Sequence, residues 1–335
     1  MEETYRETAE TMTDMAPYSV VDNFKRLVGK EGISYKRAEG SEQMVSEPMT
    51  RPQDYMSVAF DDAGIYALRG HVEEGELVVT DAYHKNRESE NVLSDVSQFL
   101  RTYVPSNQPM AIVGNYEAFM KAITMDIYHT DLESIVHWNM DSISEKPEGT
   151  YEYECFTRDI PGLSDEGLFY VVGLQKDQLY QISCATDIAR SRVRIIDYWP
   201  APAFYVYEYR NGSVVGIIDK DQIHFYAWWH GAIVKDILCP ITGRDMIEAL
   251  ADLELELENY GMDTIEGLTV YNQEQVQDPE TREEIQMMLE ENGVVDRIPV
   301  MWKGPAEALF QEGDLAWDIT LGLLLRLTRC SRINR

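Results

Sequence analysis

Two aspartates hold matching places in this chain and are the first candidates for chemistry. Asp61 closes the run Ser57-Val-Ala-Phe-Asp61 and is followed by Asp62-Ala-Gly-Ile-Tyr; Asp219 closes Val215-Gly-Ile-Ile-Asp219 and is followed by Lys220-Asp-Gln-Ile-His. In the same frame Ile65 falls on Ile223, with a strand of buried type before each acid and an apolar-rich strand after it. An acid at such a turn accepts bonds from nearby backbone N–H groups. The repetition predicts two copies of one α/β subdomain with a cleft between them.

Other reactive side chains are dispersed. Cys155, Cys184, Cys239 and Cys330 stand far apart with no C-x-x-C spacing, which fits reduced thiols better than a disulfide frame or a zinc knuckle. His224 and His230 would share a strand face, yet no Cys, Asp or Glu ligand set stands around them at metal spacing, so strand-face histidines satisfied by hydrogen bonds are expected, and no metal site. The chain has 335 residues, 44% of them hydrophobic, enough for two compact units. Its formal net charge of -30 repels phosphate backbones and anionic lipid surfaces, which argues against nucleic-acid binding and favours basic partner segments. The start, Met1-Glu-Glu-Thr, lacks the basic and apolar regions of a signal peptide, and Leu321-Gly-Leu-Leu-Leu-Arg-Leu is too short to span a bilayer.

The elements that must hold the aspartates follow the same order twice. From Tyr55 a meander of strands leads to about His84, then a helix with Val92, Val96, Phe99, Leu100 and Tyr103 on one face, then the strand Pro109-Met-Ala-Ile-Val-Gly114. Strands at 214–219, 222–229 and 232–238 lead into a helix over 243–260, capped by Thr242 with Asp245 and striped by Met246, Leu250, Leu253 and Leu257, then into Ile265-Glu-Gly-Leu-Thr-Val270. Asp278-Pro279 opens a further helix that Gly293 stops. A strand at 167–173 and a helix over 177–190 are assigned to the first half. We expect residues 1–54 to form a flexible acidic extension, 55–208 a first lobe with 115–160 inserted in it, 209–313 a second lobe, 314–328 a closing helix returning to the first, and 329–335 a basic tail.

Four stretches carry a resemblance. They are Phe119 to Phe156, with the acidic, Trp-containing helix Leu132-Glu-Ser-Ile-Val-His-Trp138 and a Tyr-x-Tyr strand; the hairpin Val214 to Pro240; Leu253-Glu-Leu-Glu-Leu-Glu-Asn-Tyr260; and Leu315 to Arg326 with its Gly-Leu-x-Leu-Arg ending. In this order they resemble the PilM family of type IV pilus assembly proteins, relatives of FtsA in the actin/Hsp70/hexokinase superfamily. The resemblance implies a duplicated ribonuclease-H-like, actin-like bilobal α/β fold with a small inserted α+β subdomain. It further implies a cytoplasmic scaffold at the inner membrane face, peripheral to the membrane through its partner. That scaffold would hold the N-terminal tail of a bitopic protein of PilN type in a groove involving the insertion and connect it to the pilus motor ring and platform protein. Glu133, Trp138, Tyr151, Glu152 and Tyr153 are the partner-binding candidates.

Many family members also bind ATP with magnesium between the lobes. There the superfamily needs an Asp to organise magnesium through water and a Gly two residues on, so that backbone N–H groups reach the phosphates. In this chain Ala63 stands at that place after Asp61 and Asp221 stands there after Asp219, and Val270-Tyr-Asn272-Gln lacks the Gly pair that lets adenosine approach the backbone. Asp61, Asp219 and Asn272 are therefore read as vestiges of a nucleotide site, and no cofactor or catalysis is expected. The alternatives are a type II secretion platform domain of GspL type, and an active ATPase or sugar kinase of the same superfamily holding ATP with magnesium.

Overall fold

Tyr55–Phe60 (β1) is buried on both faces, which its nearly continuous apolar run requires. The computed structural model that places it describes residues 53–333 apart from 88–90, 117, 127–149, 160–165, 208–211, 230–231, 294, 305 and 311–312. Met56, Val58 and Phe60 enter one core while Tyr55 and Ala59 enter another, the alternation that a strand imposes. β1 pairs antiparallel with β2 (Gly64–Glu73) and β2 with β3 (Glu76–Asn86). Helix α1 (Val92–Tyr103) then returns the chain as β4 (Pro109–Gly114), parallel to β1. Asn91 caps α1 by accepting from the Ser94 N–H, and Val96, Phe99 and Leu100 are its buried stripe.

Next come β5 (Ala118–Asp126), β6 (Tyr151–Asp159) and β7 (Glu166–Gln175), an antiparallel sheet of their own with β7 in the centre. The inserted unit therefore runs past residue 160, and the strand expected at 167–173 belongs to it rather than to the first lobe's sheet. Its apolar run, Leu168-Phe-Tyr-Val-Val, suits a central strand of either sheet, and periodicity cannot choose between them. The expected helix Leu132 to Trp138 lies outside the described residues. Helix α2 (Lys176–Ala189) and β8 (Arg192–Ile196), parallel to β4, rejoin the first sheet.

The second copy repeats the plan with β9 (Ser213–Asp219), β10 (Gln222–Trp229), β11 (Ala232–Pro240), α3 (Gly243–Glu258) and β12 (Gly267–Tyr271), in the sheet order β11-β10-β9-β12. Its hairpin register matches the first: Phe60 pairs with Ile65 and Ile218 with Ile223, so Asp61 and Asp219 follow equivalent pairs. The Thr242 hydroxyl accepts from the Asp245 N–H, and Met246, Leu250, Leu253 and Leu257 bury α3 against the sheet. Helix α4 (Pro279–Asn292) starts after its cap Asp278 and stops at Gly293, whose φ of 79° suits glycine.

The chain returns to the first lobe earlier than its sequence indicates. β13 (Met301–Trp302) adds to β3 in parallel and α5 (Ala306–Leu309) packs on β3, so residues before 313 already belong to the first sheet. A strand of two residues carries no period to read. Helix α6 (Leu315–Ile333) then continues beyond 328 through most of the segment expected as a basic tail, which contains no Gly or Pro to stop it. α6 lies between the first sheet and the 3-10 turn Ala201–Val206, and Gly322 makes that approach possible: a Cβ there would sit 1.6 Å from the Pro202 carbonyl oxygen. Val215, Trp228, Ile233 and Tyr271 from the second sheet share a core with Trp317, Leu321 and Leu324 of α6, so the lobes are joined by apolar packing. Among the described residues no helix is long and apolar enough to cross a membrane.

Candidate functional site

The two hairpin turns open onto one cleft of about 870 Å³, and Asp61, Asp219 and Asn272 all line it. The two turns and the end of β12 are held by different local devices. Asp61 Oδ1 accepts from the N–H groups of Ala63 at 2.8 Å and Gly64 at 2.7 Å, which are the amides of its own turn. At the second turn Lys220 takes a φ of 59°, and its N–H donates to Gln275 Oε1 at 3.3 Å. Asn272, with φ 62°, donates from Nδ2 to the Ile218 carbonyl at 3.0 Å and so ties the end of β12 to the end of β9.

Glu274 and Asp314 bring the carboxylates in the lining to four. Asp314 caps α6, with Oδ1 accepting from the N–H groups of Ala316 at 2.9 Å and Trp317 at 3.3 Å. Tyr66 registers the resulting field: burial, followed by the charges of Asp61 and Asp314, pushes its hydroxyl up to about 12. His224, the histidine of the lining, lies 2.7 Å from Tyr226 Oη through Nδ1 and 2.7 Å from Asp236 through Nε2. It is a strand-face histidine held by hydrogen bonds, while His230 lies outside the described residues. Burial first, and Asp236 second, raise the Tyr226 hydroxyl above the ordinary tyrosine value.

The groove candidates are placed less completely. Glu133 and Trp138 lie outside the described residues. Tyr151 is buried at 4% exposure, which makes it a packing residue rather than a face offered to a partner. Glu152 is paired with Lys176 Nζ at 3.1 Å, so its charge is partly matched within the chain. Tyr153 stands opposite Gly173 on β7. The sheet that carries Tyr151, Glu152 and Tyr153 approaches the second lobe where β5 meets β11.

Sequence reasoning missed a buried polar cluster behind the cleft. Asp318 of α6, its side chain wholly buried, accepts from Tyr271 Oη at 2.9 Å and Tyr207 Oη at 3.1 Å and pairs with Arg297. Farther along α6, Arg326 pairs with the buried Asp197. The available signal was an acid inside a helix that is apolar on nearly every side, since a buried charge requires partners.

No family model matches the chain, and no curated protein matches it. Among solved structures it is similar to a chain of the PilM-PilN type IV pilus biogenesis complex, at 10% identity and a TM-score of 0.53, over 82% of this chain and 98% of that one. A looser likeness is to the cytoplasmic domain of EpsL, an inner membrane component of the type II secretion system of Vibrio cholerae, at 7% identity and a TM-score of 0.43 over 81% and 95%. Another is to a Bacteroides thetaiotaomicron protein with actin-like ATPase fold and unknown function, at 12% identity and a TM-score of 0.44 over 82% and 96%. The twin meanders in matching register, each with its parallel fourth strand, together with the overlap with the pilus complex chain, make this a bilobal protein of the actin-like ATPase fold.

Proposed function

We propose that this chain is a scaffold of a membrane assembly platform of the type IV pilus kind, binding the N-terminal tail of a bitopic inner-membrane protein and doing no chemistry of its own. The overlap with 98% of a chain from the PilM-PilN complex is the observation that carries the reading. The cleft supports its second half. A triphosphate needs turn amides that point at its oxygens. Here the amides of the first turn are bonded to Asp61 and that of Lys220 to Gln275, and four carboxylates of the same sign as the phosphates line the walls. The carboxylates could attract magnesium, but the Ala63, Gly64 and Lys220 amides are already engaged, which supports reading the cleft as a poor fit for the phosphates of a magnesium nucleotide.

The net charge of -30 favours a basic tail as the ligand. The test is capture of the purified chain by immobilised synthetic N-terminal peptides of bitopic proteins encoded beside it. One such peptide should retain the chain while its scrambled version does not, and retention should weaken with salt and with Glu133→Lys. Equal retention on native and scrambled peptides, or none on any, contradicts the proposal; retention by a secretion-system peptide alone moves the platform from pilus to secretion.

A further inference from the structure

The chain passes from the first sheet to the second after β8 and returns before β13, and the two passages meet at one point. Tyr207 on the outgoing passage forms an antiparallel bridge with Arg297 on the returning one, and the Ile298 N–H donates to the Val206 carbonyl at 2.8 Å. Both bridging side chains turn to the same acceptor. Tyr207 Oη and Tyr271 Oη reach Asp318 Oδ2, Arg297 pairs with Oδ1, and the two hydroxyls lie 3.4 Å apart. Tyr271 ends β12, so it speaks for the second sheet, whereas Asp318 rides on α6, which packs on β1, β2 and β4 of the first. The Arg297 guanidinium also lies 5.7 Å from the Tyr207 ring centre and 5.3 Å from that of Phe310.

We propose that Asp318 is the hinge pin of the molecule: its carboxylate ties both crossing passages and the end of the second sheet to α6, and so fixes how far the lobes stand apart. Rotation of one lobe against the other moves Tyr271 and the bridge relative to α6, and these bonds share one buried acceptor. They must break together, because a buried carboxylate left with part of its partners is strongly unfavourable. A junction of that kind holds one lobe angle or another and does not bend continuously. The pin is also connected to the cleft. Asp314 and Ala316 line the cleft, and the Asp318 N–H donates to the Asp314 carbonyl at 2.9 Å, so an occupant that shifts the first turn of α6 acts directly on the pin. This holds whatever the cleft or the inserted sheet binds.

Spin labels at exposed turn positions, Ala63→Cys and Asp221→Cys, in a chain whose native cysteines are replaced, report the distance across the cleft by pulsed electron resonance. The parent should give one narrow distance. Asp318→Asn, and separately the pair Tyr207→Phe with Tyr271→Phe, should add a longer one. Hydrogen exchange should agree: the Ile298 amide should exchange about tenfold faster or more in both variants, while amides of β4 and β10 keep their protection and show that each lobe is intact. Should Asp318→Asn fail to fold, the Phe pair decides. A folded Phe pair with the parent's distance and the parent's exchange at Ile298 overturns the proposal, as does a folded Asp318→Asn with both unchanged.

Discussion

One carboxylate oxygen of Asp61 is taken up by the amides of Ala63 and Gly64, and that sets what the residue can do. Removing those bonds with Asp61→Ala should cost about 1 kcal/mol in urea unfolding, whereas Asp219→Ala, at an exposed strand end, should stay within about 0.5 kcal/mol. Equal losses would show that the two acids are not used differently. At Asp318, burial pushes the carboxyl up to about 6 even though Arg297, Tyr271 and Tyr207 act to lower it. The native state therefore holds this proton more tightly than the unfolded chain, whose aspartates titrate near 4. Its contribution to stability is present below about pH 4 and is lost as pH rises through about 6. Denaturation midpoints of the native chain should fall relative to Asp318→Asn across that window; a constant difference would contradict the assignment. Asp61 and Asp219 were legible in the sequence because a repeated hairpin marks them. Asp318 was not, because its partners Tyr207, Tyr271 and Arg297 are far from it in the chain.

At the scale of elements, caps and stripes were readable wherever the signal was local. Thr242 and Asp278 cap the helices that their types and spacing indicate, and Gly293 ends α4. What escaped depended on pairing partners distant in sequence. β7 reads equally well as a strand of the first sheet, and β13 is too short to read at all. The close passage of α6 over the 3-10 turn is the element contact most dependent on a single residue. Gly322→Ala would drive a methyl group into the Pro202 carbonyl, against backbone that cannot yield cheaply. The substitution should lower stability by about 3 kcal/mol, the upper end of what overpacking costs. A variant with the melting temperature of the parent would mean that α6 does not sit so near.

For the molecule as a whole, the duplication gave the bilobal fold to sequence reading, since both copies present the same strand order and the same acid at the same turn. The way the lobes are joined was hidden. It rests on a shared apolar core and on the Asp318 junction, both assembled from segments far apart in the chain. A groove was expected only through resemblance, and in the structure Tyr151 is buried and Glu152 is paired with Lys176. We propose that a nucleotide fold has become a platform, its cleft disfavouring triphosphates through its own turn bonds and carboxylates. Isothermal calorimetry of the full chain with Mg-ATP tests this most directly. Binding should be weaker than about 1 mM, and a dissociation constant of about 1 μM would contradict the proposal.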